Sequence, residues 1–251
     1  MTAPTSPEPR GSGDPGRAAG TSPHLSRTRS FSRRGGRMPQ GHRTAYEHLA
    51  GRYVVDVPRG AGGVTTVDPD FRLDLPGTFG RQAPLVVEVG SGSGDALRAG
   101  AQARPDWDVL AVEVWRPGIA QTLARMGEHP LPNVRFVEAD ACLALSTMLE
   151  AGAAHEVWTF FPDPWPKARH HKRRLIQPAF VDTVHRLLEP GGLWRIATDW
   201  SDYAAHLREV MAADSRWTLA STGRAPLRPR TRFELKGLAA GREIVDLAYR
   251  A

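Results

Sequence analysis

The sequence predicts an α/β fold built on a mostly parallel sheet with helices on both faces. From Pro84 onward, short apolar runs alternate with helix-like segments at a steady pitch, as strand–helix units do. The first run is followed by a glycine-rich turn, Glu88-Val89-Gly90-Ser91-Gly92-Ser93-Gly94. Four carboxylates, Glu88, Glu113, Asp140 and Asp163, fall at or just inside the ends of successive strands.

Residues 1–43 are rich in Pro, Gly, Ser and Arg and nearly devoid of large apolar side chains, so they are expected to form a disordered basic arm. Their composition also resembles an organelle transit peptide, but their Pro and Gly content opposes an amphipathic helix, and capture of polyanions is the leading expectation. The remaining residues, 44–251, are expected to form a single domain. A short helix over 44–51 and a connector punctuated by Gly, Pro and Asp lead to the alternating region. There the strands are expected at 85–89, 108–114, 134–139, 156–161 and 193–198. Helices are expected at 95–104, 117–127, 141–151, 175–188 and 203–212, with Glu189-Pro190-Gly191-Gly192 closing the fourth. The tail breaks this rhythm. Segments 217–221 and 244–250 both look like strands with no helix between them, and they pair most simply as an antiparallel edge hairpin, the last two of seven strands.

Composition narrows the function classes. The 251 residues are 41% hydrophobic and 24% charged, as in a soluble globular protein. No apolar run approaches the ~18 residues of a membrane-spanning helix, and there is no signal-peptide core. A single cysteine, Cys142, excludes an internal disulfide and a cysteine-based zinc cluster and suits a reducing cytoplasm. The net charge of +6 lies wholly in residues 1–43, with eight arginines against two acids. The remainder holds 25 basic and 25 acidic side chains, so a nucleic-acid surface there must be a local patch. Arginines outnumber lysines thirty to three, a skew that reflects GC-rich coding more than thirty chosen contacts.

Ligands of a doubly wound sheet bind beyond the carboxyl ends of its strands. The turn here reads G-x-G-x-G rather than the dinucleotide G-x-G-x-x-G. Glu113, nineteen positions after Gly94, stands where a carboxylate accepts hydrogen bonds from both ribose hydroxyls. Glu88 adds a second negative charge under the turn. An anionic wall repels a pyrophosphate but suits a sulfonium and an amino group, which favours S-adenosylmethionine over NAD. Asp140 is placed either to reach an adenine amine or to cap the next helix.

The stretch around which the chain is organised is Phe160-Phe161-Pro162-Asp163-Pro164-Trp165, followed by Lys167, Arg169, His170, His171, Lys172, Arg173 and Arg174. Pro162 and Pro164 restrict the backbone on either side of Asp163. One acid on a stiff strand-end loop beside a cationic run suits a polyanion with one group to be gripped. The plainer alternative is a proline-rich turn before a solvated helix start. The vicinal histidines point different ways and no cysteine accompanies them, so no metal site is expected.

These segments resemble the bacterial tRNA (guanine-N7-)-methyltransferases, which methylate a variable-loop guanosine at position 46 in standard tRNA numbering. The resemblance runs from about residue 84 to the C-terminus. Besides the glycine turn and the Asp163 stretch, it rests on Glu113 with its following Trp-Arg-Pro-Gly, on Ala197-Thr198-Asp199-Trp200, and on Arg228-Pro229-Arg230-Thr231-Arg232-Phe233-Glu234. It implies a Rossmann-like class I methyltransferase fold and S-adenosylmethionine as donor. It implies that Glu88, Gly90, Gly92, Gly94, Glu113, Asp140 and Asp163 surround the cofactor, with Asp163 also catalytic. It further implies that Lys167, Asp199, Thr231, Arg232, Phe233 and Glu234 bind the target base, and residues 169–174 the tRNA. The family commonly has Lys where Arg232 stands, which keeps the charge but changes the hydrogen-bonding fork. A monomer is expected, with a homodimer as the alternative.

Guanine N7 carries an in-plane lone pair and no proton, so its methylation needs alignment and a tolerant electrostatic environment rather than a general base. Asp163, Asp199 and Glu234 are candidates for opposing the developing positive charge and for accepting from guanine N1–H and its amino group. Asp199 is alternatively a turn acid, and Glu234 a surface ion pair with Arg232. Trp165 and Phe233 are candidate stacking surfaces. Competing readings are an amino-methyltransferase, against which the Pro-Asp-Pro-Trp order counts, and an inactive RNA-binding relative, against which the intact glycine turn and acids count.

Overall fold

The computed structural model describes residues 1, 29–31 and 38–251. The expected disorder of residues 1–43 therefore lies mostly outside the described residues. The strands are β1 (Leu85–Val89), β2 (Asp108–Val112), β3 (Val134–Val137), β4 (Ala154–Phe160), β5 (Leu188–Thr198), β6 (Thr218–Ser221) and β7 (Val245–Arg250). The helices are α1 (Gln40–Tyr53), α2 (Leu75–Phe79), α3 (Asp95–Ala103), α4 (Arg116–Glu128), α5 (Ala141–Thr147), α6 (Pro178–Leu187), α7 (Ser201–Ala212) and α8 (Arg232–Ala239), with a 3-10 helix over Ala168–Arg173.

The strands form one seven-stranded sheet in the order β3-β2-β1-β4-β5-β7-β6. β1 to β5 are parallel and β7 is antiparallel to both neighbours. Every residue of β1 and β2 is buried, as their near-continuous apolar sequence requires of strands covered on both faces. Leu97, Ile119 and Leu123 build the core on one face of the sheet, and Leu145, Val184, Trp194 and Tyr203 the core on the other. Strand order reverses between β1 and β4, which are neighbours in the sheet. A crevice therefore opens above their carboxyl ends. Glu88 in β1 is paired in register with Ala111 of β2 and Trp158 of β4, so its carboxylate stands in the middle of the sheet, under that crevice.

Three elements differ from the sequence expectation. α1 begins at Gln40 and runs to Tyr53, whose buried side chain joins the core with Ile119, Leu123 and Phe136. Its amphipathic signal is spread too thinly for residues 44–51 to show it. β5 starts at Leu188, inside the expected helix closure, through a register shift opposite Ala154 and Glu156. The tail is not a plain hairpin. β6 and β7 do pair antiparallel, but β7 is inserted between β5 and β6, and α8 lies in the connection. The signal for α8 was present: Thr231-Arg232-Phe233-Glu234 has capping-box spacing, and Thr231 Oγ1 accepts from the Glu234 backbone N–H at 3.2 Å. Among the described residues no helix is long and apolar enough to cross a membrane.

Candidate active site

The crevice at the switch point is a cleft enclosing about 1070 Å³ of empty space, solvent at its mouth included. Its floor is the β1 end and the glycine turn. Gly90, Gly92 and Gly94 have φ of 75°, 55° and 72°, a region in which a side chain would be strained. A Cβ on Gly94 would also collide with Thr122 of α4, so this glycine lets α4 approach the turn. Glu88 is buried, and its Oε2 has no hydrogen-bond partner among the described residues. Burial, and then the charges of Glu113 and Asp95, push its carboxyl up to about 8.

The two neighbouring acids are held by backbone. Glu113, one residue past β2, accepts from Gly92 N–H at Oε2 and from Trp115 N–H at Oε1, both at 2.7 Å. Asp140, past β3, caps α5 by accepting from Cys142 N–H at 3.0 Å, yet it also lines the cleft. Of the alternatives weighed from sequence for Asp140, a contact to an adenine amine or a helix cap, the cap is present.

Asp163 lines the rim on a turn whose backbone is unusual at both ends. Phe161 and Trp165 have φ of 53° and 46° and are the non-glycine residues with positive φ among those described. Each such residue costs on the order of 1–3 kcal/mol. Prolines announced a stiff loop; they did not announce that Phe161 and Trp165 would bracket it in the left-handed region. Phe161 N–H is anchored on Ala197 O at 2.7 Å. Trp165 donates its indole N–H to Ser30 O at 3.0 Å, and Ser30 and Phe31 line the cleft mouth. The sequence placed residues 30 and 31 in a basic arm expected to capture polyanions; nothing local distinguishes them.

The cationic run does not act as one face. Lys167, Arg169 and Lys172 are exposed, and His170 lies among them. Desolvation, and then the cations of Arg173, Arg169, Lys167 and Lys172, hold the His170 imidazole below its usual range. Arg173 is half-buried with its guanidinium 4.9 Å over the Trp165 ring. Arg174 turns inward. It is buried, donates to Pro164 O at 3.1 Å, pairs with Asp202, and lies 5.0 Å over the Tyr203 ring. Arg174 was expected from sequence to contact RNA; its guanidinium is tied to the Asp163 turn through Pro164 O. His171 Nε2 lies 3.5 Å from Asp202. No group of three potential ligands among the described residues could hold a metal ion.

α8 forms the opposite rim. Thr231 and Phe233 line the cleft, and the Phe233 ring lies against Gly92, 3.8 Å from where a Cβ would stand. Arg232 N–H reaches Asp95 at 3.4 Å. Glu234 is buried and paired with Arg224 and Arg228, not with Arg232. Burial raises its carboxyl, but the two arginines outweigh that and hold it below its ordinary value. Asp199 accepts from Arg242 at 2.8 Å and abuts Gly237 of α8, where a Cβ would stand 2.7 Å away. Of the three acids considered for the guanine edge, Asp163 lines the cleft, Glu234 lies in the first turn of α8 paired with Arg224 and Arg228, and Asp199 packs against α8 paired with Arg242.

Apart from Ser30 and Phe31, the residues lining this cleft lie inside a recognised family region. A family model described as "Putative methyltransferase" matches residues 82–247. The chain is 49% identical over 226 residues to the tRNA (guanine-N(7)-)-methyltransferase of Arthrobacter sp. (strain FB24), covering 89% of this chain and 70% of that protein. To the protein of the same name from Cutibacterium acnes it is 47% identical over 227 residues, covering 88% and 82%. Solved structures agree in fold. An antibiotic-related methyltransferase aligns with a TM-score of 0.55 at 16% identity, over 78% of this chain and all of that one. The 16S rRNA (adenine(1408)-N(1))-methyltransferase of Catenulisporales acidiphilia, solved with SAM, aligns with a TM-score of 0.51 at 20% identity, over 75% and 93%.

Proposed function

Since this chain belongs to the tRNA (guanine-N(7)-)-methyltransferase family, we propose that it transfers a methyl group from S-adenosylmethionine to N7 of guanosine 46 in the tRNA variable loop. The observation that carries the reading is one cleft lined by Glu88, Glu113, Asp140 and Asp163, with exposed cations following Asp163. The residues suit this cofactor. The unpartnered buried Oε2 of Glu88 calls for a cationic amino group, and the side-chain-free turn admits close approach. Glu113, held at the end of β2 by the Gly92 and Trp115 N–H groups, stands where a carboxylate meets two ribose hydroxyls. Asp140, capping α5 at the cleft wall, stands on the side where an exocyclic amine would come.

When bound, S-adenosylmethionine supplies an electrophilic methyl group on a sulfonium. The chain's own contribution is alignment and charge. Asp163, held on a turn strained at both ends, opposes the positive charge that grows on guanine and accepts from its N1–H or amino group. Phe233 and Thr231 bound the base from the other rim, while Glu234, through Arg224 and Arg228, and Asp199, against Gly237, hold α8 in place. Lys167, Arg169 and Lys172 meet tRNA phosphates. tRNA as substrate places the enzyme in the cytoplasm. The test is incubation with labelled S-adenosylmethionine and an unmodified tRNA transcript, followed by nucleoside analysis. Label in N7-methylguanosine, lost when residue 46 is changed to adenosine, supports the reading. Label in another nucleoside, or persisting after that change, overturns it.

A further inference from the structure

Arg228 is the most completely buried cation of the C-terminal segment, its side chain wholly removed from solvent. One end of its guanidinium pairs with Glu234 in the first turn of α8, the other grips both oxygens of Asp246 on β7 at 2.8 and 2.7 Å. Its face lies over the rings of Phe160 and Phe161, 5.6 and 5.2 Å from their centroids. The Nε has no hydrogen-bond partner among the described residues, so the cation is held by its two terminal nitrogens and by the rings on its face. Arg224 completes a four-member network by pairing with Glu234 and donating to Arg228 O at 3.1 Å.

The consequence lies in what these partners carry. Phe161 is the first of the two strained residues that bracket Asp163, and Glu234 belongs to the helix that brings Thr231 and Phe233 to the facing rim. Asp246 pairs in register with Ala197, whose carbonyl receives the Phe161 N–H. Both rims of the cleft are therefore referenced to one cation, which is itself fixed to the sheet. We propose that Arg228 is a positioning residue for methyl transfer: it holds Phe161 in its strained conformation and α8 at a set distance, and so fixes the width of the base slot between Asp163 and Phe233. A lysine would keep the charge but engage one carboxylate at a time and lack the flat face. The cofactor floor formed by β1 and Glu113 is not touched by this network.

The inference rests on the proposed function for its catalytic consequence, but not for its structural one, and the test separates the two. Hydrogen exchange is measured on the ligand-free full-length Arg228→Lys protein. The Phe161 amide and the first amides of α8 should exchange at least about tenfold faster than in the parent, with Val87 of β1 unchanged. Single-turnover methylation at saturating tRNA should then fall about thirtyfold or more, with S-adenosylmethionine affinity within about threefold. As comparator, Val184→Ala opens the core on the other face of the sheet, and it should lose melting temperature without losing single-turnover rate. If Arg228→Lys does not fold, Asp246→Asn, which leaves the cation but weakens its anchor on β7, is measured in the same way. Unchanged exchange at Phe161 overturns the proposal, as does an active parent whose folded variant methylates within about threefold. A parent that forms no N7-methylguanosine sinks the proposed function alone, and the exchange result still decides the role of Arg228.

Discussion

The indole N–H of Trp165 donates to the backbone carbonyl of Ser30 across 3.0 Å, joining the Asp163 turn to a residue 135 positions earlier in the chain. Phe31, next to it, lines the mouth of the same cleft as Glu88 and Glu113. This part of the arm thus lines the cleft in which the cofactor is proposed to bind. Phe31→Ala is expected to weaken S-adenosylmethionine binding about fivefold, the effect of losing roughly 1 kcal/mol of apolar contact. Calorimetric titration checks this, and equal affinity in mutant and parent would return Phe31 to the arm's unspecific role.

Cofactor affinity should depend on pH through Glu88. Its carboxyl titrates near 8 in the ligand-free protein, whereas pairing with a cationic amino group requires the carboxylate. Binding below that value therefore releases a proton. Affinity should rise with pH by up to about tenfold per unit between roughly pH 6 and 8, and level off there. Glu88→Gln should abolish the slope. Titrations in buffers of different ionisation enthalpy read the proton directly, and a parent that releases none would remove Glu88 from the amino-group site.

Exposed and buried members of the cationic run should separate cleanly. Replacing Lys167, Arg169 and Lys172 by Ala should flatten log affinity against log salt for tRNA by about 0.7–0.9 per lost phosphate contact. Arg174→Ala should leave that slope alone and instead lower stability by on the order of 2 kcal/mol, or about 4–8 °C in melting temperature. Its guanidinium is buried on Pro164 and Asp202. A changed salt slope with an unchanged melt would put Arg174 on the RNA after all.

Asp163→Asn should leave the protein folded and able to take up cofactor while nearly abolishing transfer. The amide keeps the shape but removes the charge, and it turns one acceptor into a donor facing guanine donors. The barrier should rise by roughly 3–5 kcal/mol, a hundred- to a few-thousand-fold in rate. Single-turnover methylation with both substrates saturating, alongside a thermal melt, measures it. A folded variant within about threefold of the parent would refute the catalytic role.

What the sequence determined by itself is what short-range chemistry encodes. The five parallel strands show as apolar runs because a strand buried on both faces needs nothing else. The glycine turn shows because positive φ is cheap only for glycine, and Glu88, Glu113, Asp140 and Asp163 show because strand ends are countable. All four meet at one cleft. The tertiary structure alone decided which charges are spent inside the protein. Glu234 and Asp199 read from sequence as candidate base-binding acids; only the fold shows Arg224 and Arg228 paired with the first and Arg242 with the second. Arg174 looks like its exposed neighbours until Asp202 and Tyr203 close over it. Ser30 and Phe31 belong to the site only because Trp165, far along the chain, reaches them. An ionised side chain is stabilised as well by water as by a distant partner, and residue type does not distinguish the two. Burial does, and burial is a property of the packed chain.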